Sequence, residues 1–280
     1  MRVIAIGDSF TVGLGTDREY EESQLGGHPS WAWLTDEERG ERRKVVEAFR
    51  INNSYPKFFA NLLGVDFVNL GQSGCGNQHI ITELVSGDYK VDKGNASKNK
   101  IKENDIVLIG FTSSHRDGFP FLPKPLFDST MTAVNKTAFK EKKFMDDKSL
   151  GGYYSKFGKW FSEKYSKEWI ASLYVDEYYQ YFNKNILYFA QQYCEYKKVK
   201  YIFFDAFEPM LTTPWSKIDT TKYWNFGSTL GDWLDIQNDK SLKEPRDKII
   251  PDYNNLHPSK KGHQLFAHEL YRFYNKVYNG

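Results

Sequence analysis

Four short apolar runs, each followed by glycine or polar residues, constrain most what this chain can fold into. They are Val3 to Ile6 and residues 65–70, 106–110 and 199–205. Short runs that are rich in β-branched and aromatic residues predict buried strands. Because helical patterns separate these runs, the sequence predicts parallel strands joined by right-handed crossovers.

The helices between the predicted strands follow from apolar spacing and from capping residues. We expect helices over residues 54–63, 77–85 and 176–196, and another after Ser259. Ser54 fits an N-cap, and Gly64 fits the end of the first of these helices. The order of elements predicts a three-layer α/β/α sandwich, with a central parallel sheet of about five strands.

Three long segments lack a regular apolar pattern. They span residues 16–50, 116–175 and 206–248. We expect the first to be a loop as far as about Arg43 and the third to be irregular. Long loops in compact folds are usually functional or disordered. The three segments are therefore interpreted as substrate-side insertions on a single domain that spans residues 1–280.

Charge and hydropathy exclude several classes of protein. The 38 Lys and Arg residues nearly balance the 36 Asp and Glu residues, so the sequence has no nucleic-acid footprint. No apolar run approaches the roughly 18 residues of a membrane span. The predicted first strand comes directly after Met1-Arg2, without the pattern of a signal peptide. We expect a cytoplasmic protein that binds neither nucleic acid nor membrane. The sequence indicates no oligomeric state.

Aromatic residues are unusually abundant, with 21 Phe, 19 Tyr and 7 Trp. This number exceeds what a core needs, so some rings should lie at a surface or in a groove. Compositional bias ranks first among the explanations. Stacking on sugars and contacts with a partner protein remain open.

Polar loops follow three of the predicted strands. They contain Ser9, Gly74 and Thr112, and a further polar segment contains His257 just before the last helix. Because the carboxyl ends of parallel strands meet at one edge of the sheet, we expect these residues to converge there. The convergence predicts a hydrolytic site with Ser9 as nucleophile. The alternative is that Asp8 and Ser9 only cap the next helix.

At three blocks the sequence resembles the GDSL/SGNH hydrolase family, in that family's order. Gly7-Asp8-Ser9 matches the first block, and Asn69 to Gly74 is similar to the second. Leu256 to His263 resembles the last block, in which a His-Pro pair opens the C-terminal helix. The resemblance implies a flavodoxin-like α/β/α fold and a serine esterase or lipase.

The resemblance also implies roles for individual residues. Ser9 would be the nucleophile and His257 the general base. The backbone N–H groups of Ser9 and Gly74 would line the oxyanion hole. Thr112 stands where the family has an asparagine donor, and its hydroxyl could take over that role.

The group that would orient His257 differs from the family pattern. The family has an acid three residues before the histidine, and this chain has Asn254 there. Asp252 lies two residues further upstream and is the other candidate. An amide oxygen could accept from the imidazole, but it would stabilise an imidazolium less well than a carboxylate.

Other polar residues carry weaker predictions. His115 and Arg116 could hold a substrate carboxylate or phosphate, although a surface ion pair is the alternative. Cys194 lies on a helical apolar stripe and is interpreted as core, and Cys75 has no assigned base. We expect no cofactor and no metal.

The predicted substrate is a small-molecule or carbohydrate ester, most simply an O-acetyl or O-acyl sugar. Lipid esters and thioesters form a second substrate class. An acyltransferase would use the same chemistry with a sugar hydroxyl in place of water. A different class of function is a binding or structural module that keeps the fold but lacks turnover.

Overall fold

The computed structural model describes residues 1–16, 35–73, 75–86, 100–112, 176–241 and 257–280 of the chain. Within these ranges, a parallel sheet of four strands forms the centre of the molecule. The strands are β1 (Arg2–Ile6), β2 (Asp66–Asn69), β3 (Ile106–Phe111) and β4 (Lys200–Asp205), in the spatial order β2-β1-β3-β4. The predicted α/β class with a parallel sheet is confirmed.

The register of the sheet brings the strand ends to a common edge. Ile6 of β1 pairs with Ile109 of β3, and Phe111 of β3 pairs with Asp205 of β4. Every residue of β3 is buried, because β3 lies between two strands and under helices on both faces. This burial explains why the run reads as continuously apolar and not as an alternating pattern.

Seven helices in the described ranges lie between the strands or after the last strand in chain order. In chain order they are α1 (Ser9–Val12), α2 (Asp36–Asn52), α3 (Tyr55–Leu63), α4 (Asn77–Ser86), α5 (Asp176–Tyr196), α6 (Leu230–Ser241) and α7 (Lys260–Tyr278), with a short 3₁₀ turn at Thr220–Lys222. None of the helices in the described ranges combines the length and the hydropathy that a membrane-spanning helix requires.

Each face of the sheet has its own apolar core. Ile4 and Ile6 of β1 pack in one cluster with residues of α4 and α5. Val3 and Ala5, which point to the opposite face, pack in a second cluster with residues of α3, α6 and α7. Because side chains alternate between the two faces of a strand, one sheet packs against a helical layer on each face. The three-layer arrangement is the predicted one.

The helices predicted from apolar spacing are present. The first ends at Gly64, whose φ of 67° is a left-handed conformation that favours glycine. Ser54 precedes that helix, but its hydroxyl donates back to the Ile51 carbonyl at 2.7 Å and makes no cap bond. Ser259 caps α7, with its hydroxyl 3.3 Å from the Gly262 N–H.

Two helices lie where irregular chain was predicted, and both corrections have the same origin. α2 begins at Asp36, inside the predicted loop, and α6 begins at Leu230, inside the third insertion. Thr35 and Glu38 form a reciprocal capping box at the start of α2. Thr229 and Asp232 exchange the same pair of bonds at the start of α6, each at 3.0 Å. A threonine followed three residues later by an acid is the sequence signal for these starts.

Candidate active site

Ser9 stands on a tight turn directly after β1. Asp8 is the N-cap of α1, and its carboxylate accepts from the Phe10 N–H at 3.0 Å. Ser9 is the first residue of that one-turn helix and is 3% exposed. The capping interpretation therefore applies to Asp8, while the Ser9 hydroxyl makes a different contact.

The Ser9 hydroxyl is hydrogen bonded to His257, 248 residues away. The Oγ of Ser9 lies 2.9 Å from Nε2 of His257. His257 is half-buried and precedes α7, whose cap at Ser259 fixes the direction in which the chain enters the helix. When Nδ1 carries the imidazole proton, the Ser9 hydroxyl donates to Nε2, which is the arrangement that a general base requires.

Two glycines allow these segments to approach each other. A side chain at Gly7 would collide with the Thr11 hydroxyl and would lie 2.9 Å from the carbonyl oxygen of Gly110 in β3. Gly15 has a φ of +95°, and a Cβ there would lie 2.5 Å from the Pro258 carbonyl oxygen. Gly7 thus permits the close approach of β3 to the Ser9 turn, and Gly15 permits the approach of the backbone next to His257.

Two phenylalanines flank the His257 ring. The centroids of Phe10 and His257 are 5.4 Å apart, and those of Phe207 and His257 are 6.5 Å apart. Phe10 and Phe207 also contact each other edge to face at 4.5 Å. Phe207 lies just after β4 and was not predicted as a site residue. Its only sequence signal is its position beyond a strand end.

Thr112 directly follows β3 and is fully buried. Ile6 and Ile109 are partners in the sheet, and Ser9 and Thr112 each lie three residues beyond one of them. Both residues therefore follow the same edge of the sheet. The Thr112 backbone bonds to the side chain of Asn77 at both its N–H and its C=O. In the part of the chain that the structure describes, the Thr112 hydroxyl has no hydrogen-bond partner.

Buried and half-buried polar contacts brace α1. The side-chain amide of Asn69 donates to the Thr11 carbonyl at 2.7 Å, and its oxygen accepts from the Gly71 N–H at 2.9 Å. The Thr11 hydroxyl bonds to the Tyr55 hydroxyl at 3.0 Å. The second block of the sequence therefore ties the end of β2 to the helix that carries Ser9.

Burial shifts the pKa of several ionisable groups near this bracing and near the end of β4 toward the neutral form. The Nδ1 of His263 accepts from the Tyr55 N–H at 3.2 Å, and burial lowers the pKa of His263 to about 3. Burial also raises the pKa of the Tyr55 hydroxyl. At the end of β4, burial raises the pKa of Asp205 to about 7, although the Tyr223 hydroxyl donates to it at 2.5 Å.

Several predicted site residues lie outside the described ranges. They are Gly74, His115, Arg116, Asp252 and Asn254. Their roles remain predictions, and so does the choice between Asn254 and Asp252 as the partner of His257. The described residues contain no group of three or more His, Cys, Asp or Glu side chains that could hold a metal ion.

The cysteines are both buried. Cys194 packs in the core, as its stripe predicted, and burial raises the pKa of its thiol, which disfavours the reactive thiolate. The thiol of Cys75 donates to the Gly7 carbonyl at 3.4 Å and so belongs to the packing around the Ser9 turn.

No family model and no curated protein matches the chain. A solved structure similar to it is a carbohydrate esterase family 2 enzyme with a carbohydrate-binding domain from Corynascus thermopiles (Myceliophthora fergusii). The identity is 14%, the TM-score is 0.42, and the match covers 100% of this chain and 67% of that chain.

Two further solved structures are similar at comparable identity and with lower TM-scores. One is a carbohydrate esterase described by the divergent catalytic and non-catalytic binding functions of its active site (14% identity, TM-score 0.37, 98% of this chain and 64% of that chain). The other is a putative lipolytic protein of the G-D-S-L family from Desulfitobacterium hafniense DCB-2 (15% identity, TM-score 0.29, 97% and 98%). The chain spans about two thirds of the length of the two carbohydrate esterases. At this distance the likenesses assign no activity to it.

Proposed function

We propose that this protein is a serine hydrolase that cleaves esters through an acyl-enzyme. The observation that carries the proposal is the 2.9 Å contact between Ser9 Oγ and His257 Nε2. A serine hydroxyl is a weak nucleophile until a base accepts its proton, and an imidazole within hydrogen-bond reach is the usual base. The position of Ser9 at the carboxyl edge of a parallel sheet supports the same conclusion.

The reaction follows from these two groups. Ser9 Oγ attacks the ester carbonyl carbon while His257 takes the hydroxyl proton. The tetrahedral intermediate collapses, the bond to the alcohol oxygen breaks, and His257 returns the proton to the leaving alcohol. Water then attacks the acyl-enzyme with His257 again as base, which releases the carboxylic acid and restores Ser9.

Three donors would stabilise the negative oxygen of the intermediate. The Ser9 N–H is at the first position of α1, where a backbone N–H has no partner within its own helix. The second donor is the Gly74 N–H, and the third is the Thr112 hydroxyl, which lacks another partner among the described residues. Loss of one such donor costs about 10²–10³ in rate.

A carbohydrate ester with an O-acetyl or O-acyl group is the proposed substrate. The abundance of aromatic residues supports it, because rings stack on sugar faces. The other substrates consistent with the same chemistry are lipid esters and thioesters. A sugar hydroxyl that replaces water in the second step would make the protein an acyltransferase, and product analysis separates the two outcomes.

The first prediction is that a short-chain nitrophenyl ester is hydrolysed by the wild type and not by Ser9→Ala. The variant removes the nucleophile, so kcat should fall by about 10³ or more. Ser216→Ala is the matched control, because Ser216 is an exposed serine in a loop after β4. Equal activity of the wild type and Ser9→Ala would contradict the assignment of Ser9.

A binding or structural module is the second candidate, and the presence of Asn254 in place of an acid favours it. A fluorophosphonate probe should label Ser9 if the protein is a hydrolase. A folded protein that stays unlabelled, but becomes active as Asn254→Asp, would favour the module over the enzyme.

A further inference from the structure

Asn77 is a buried residue that no sequence motif singles out. It is the first residue of α4 and is fully buried. Its Oδ1 accepts from the Thr112 N–H at 2.9 Å, and its Nδ2 donates to the Thr112 carbonyl at 3.0 Å. The same Nδ2 also donates to the sulfur of Met210 at 3.3 Å.

These contacts engage both the oxygen and the nitrogen of the carboxamide and leave its orientation unambiguous. A backbone N–H can only donate and a backbone C=O can only accept, so the oxygen and nitrogen of Asn77 cannot exchange places. A carboxamide offers a donor and an acceptor side by side, which is the pattern that the backbone of one residue presents. The side chain of Asn77 therefore acts as a substitute for a neighbouring strand.

Thr112 needs such a substitute because it lies beyond the sheet. The pairing of β3 with β4 ends at Phe111, which pairs with Asp205. The Ala206 N–H makes the last backbone bond, to the Phe111 carbonyl at 2.7 Å. Beyond that point the Thr112 backbone bonds to Asn77.

The two bonds with Asn77 also determine which polar group of Thr112 is without a hydrogen-bond partner among the described residues. Both backbone groups of Thr112 are engaged by Asn77, while its buried hydroxyl has no partner among the described residues. A buried hydroxyl without a partner is unfavourable in the resting protein. It becomes favourable when a negatively charged oxygen develops beside it.

We propose that Asn77 is a positioning residue for the ester hydrolysis proposed above. It fixes the Thr112 backbone so that the Thr112 hydroxyl, the remaining donor of that residue, stabilises the oxyanion. Asn77 does not touch the substrate and acts through Thr112. This inference rests on the proposed hydrolase function and adds to it a residue outside the sequence blocks.

A double-mutant cycle on kcat tests this role. Thr112→Val removes the hydroxyl at nearly constant volume, and we expect kcat to fall about 10²–10³. Asn77→Asp keeps the shape but turns an acceptor oxygen toward the Thr112 carbonyl, and we expect kcat to fall at least about tenfold, with KM nearly unchanged. Because both changes act through one hydroxyl, the double variant should be no slower than Thr112→Val alone.

The controls keep a structural explanation apart from this one. Asn185→Asp makes the same chemical change at an exposed asparagine of α5 and should leave kcat unchanged. Asn77→Ser is a second variant for the cycle if Asn77→Asp fails to fold, since it deletes the pairing and leaves room for water. Thr112→Ser keeps a hydroxyl and should retain most of the activity.

The outcomes separate this inference from the proposed function. If Ser9→Ala hydrolyses the ester as fast as the wild type, the proposed function fails and the role of Asn77 fails with it. If hydrolysis depends on Ser9 but the losses of Asn77→Asp and Thr112→Val multiply, only the role of Asn77 is overturned. An Asn77→Asp variant with wild-type kcat would overturn it as well.

Discussion

The hydroxyl of Ser9 and the imidazole of His257 meet because small residues lie where their segments cross. Gly7 admits the end of β3, and Gly15 admits the backbone at Pro258. The rings of Phe10 and Phe207, which flank His257, restrict how the imidazole can turn. The contact between Ser9 and His257 thus depends on two glycines, which have no side chain, and on two phenylalanine rings.

Phe207 should matter for turnover and not for substrate affinity. Phe207→Leu keeps an apolar side chain but removes the ring, so the imidazole of His257 can turn away from Ser9. We expect kcat for ester hydrolysis to fall about tenfold while KM changes little. Phe207→Tyr retains the ring and is the matched control. Similar kcat values for the leucine and tyrosine variants would show that the ring has no such role.

The sequence predicted some of these residues and not others, for a physical reason. The turn at Ser9 is local, since Gly7 to Ser9 follow a recognisable strand, and its position was predicted correctly. The partners of Thr112 and His263 are 35 and 208 residues away in the sequence. Asn77 and Phe207 were missed because an asparagine at a helix start and a phenylalanine after a strand have many ordinary explanations.

At the scale of elements, helix starts were harder to predict than strands. β1, β3 and β4 are mainly apolar runs because both faces of the sheet are covered there, whereas β2 at the edge has no buried residue. α2 is rich in Glu, Arg and Lys, and Val46 is buried in its second half, so its apolar stripe is thin. Its capping box at Thr35 and Glu38 was a stronger signal than its periodicity.

The capping box of α6 gives an element-scale prediction. Thr229→Ala removes the hydroxyl that accepts from the Asp232 N–H at 3.0 Å. We expect the free energy of unfolding to fall by about 0.5–2 kcal/mol. Urea titration measures it, with Thr212→Ala, an exposed threonine of the loop after β4, as control. A change for Thr229→Ala no larger than that of the control would contradict the capping role.

At the scale of the whole molecule, local patterns predicted the layers, whereas the order of the strands was predicted only by the family resemblance, through the flavodoxin-like fold that it implies. Alternation of strand and helix signals, with the rule for right-handed crossovers, leads to a three-layer α/β fold. The neighbour relations β2-β1-β3-β4 depend on which strands pair across long distances, which no local pattern reports. The parallel sense was sufficient to predict that polar residues at strand ends share one edge.

Two buried groups give stability opposite responses to pH. His263 has a folded pKa of about 3, against 6.5 when unfolded. The unfolded chain therefore binds the extra proton between these values, and acidification through that window destabilises the fold. Asp205 has a folded pKa of about 7, against 3.8. The folded chain binds that proton, so acidification from about pH 7 to 3.8 stabilises the fold. Each group changes stability by at most about 1.4 kcal/mol per pH unit.

Replacing His263 or Asp205 by the uncharged amide residue should remove the pH response of that group alone. The free energy of unfolding is measured by urea titration at pH 8 and at pH 5. Between these values His263→Gln should lose less of it than the wild type, or gain some. Asp205→Asn should lose more than the wild type over the same step. A pH response of His263→Gln that equals that of the wild type would show that His263 is not held neutral by burial.

The distance of 248 residues between Ser9 and His257 sets an order of events during protein synthesis. The strand and turn that carry Ser9 leave the ribosome well before His257 does. At a translation rate of about 5–20 residues per second, the nascent chain displays an unactivated serine for roughly 12–50 s. The proposed hydrolase is therefore latent during this interval, and reactivity toward an ester begins only when His257 and α7 reach the Ser9 turn.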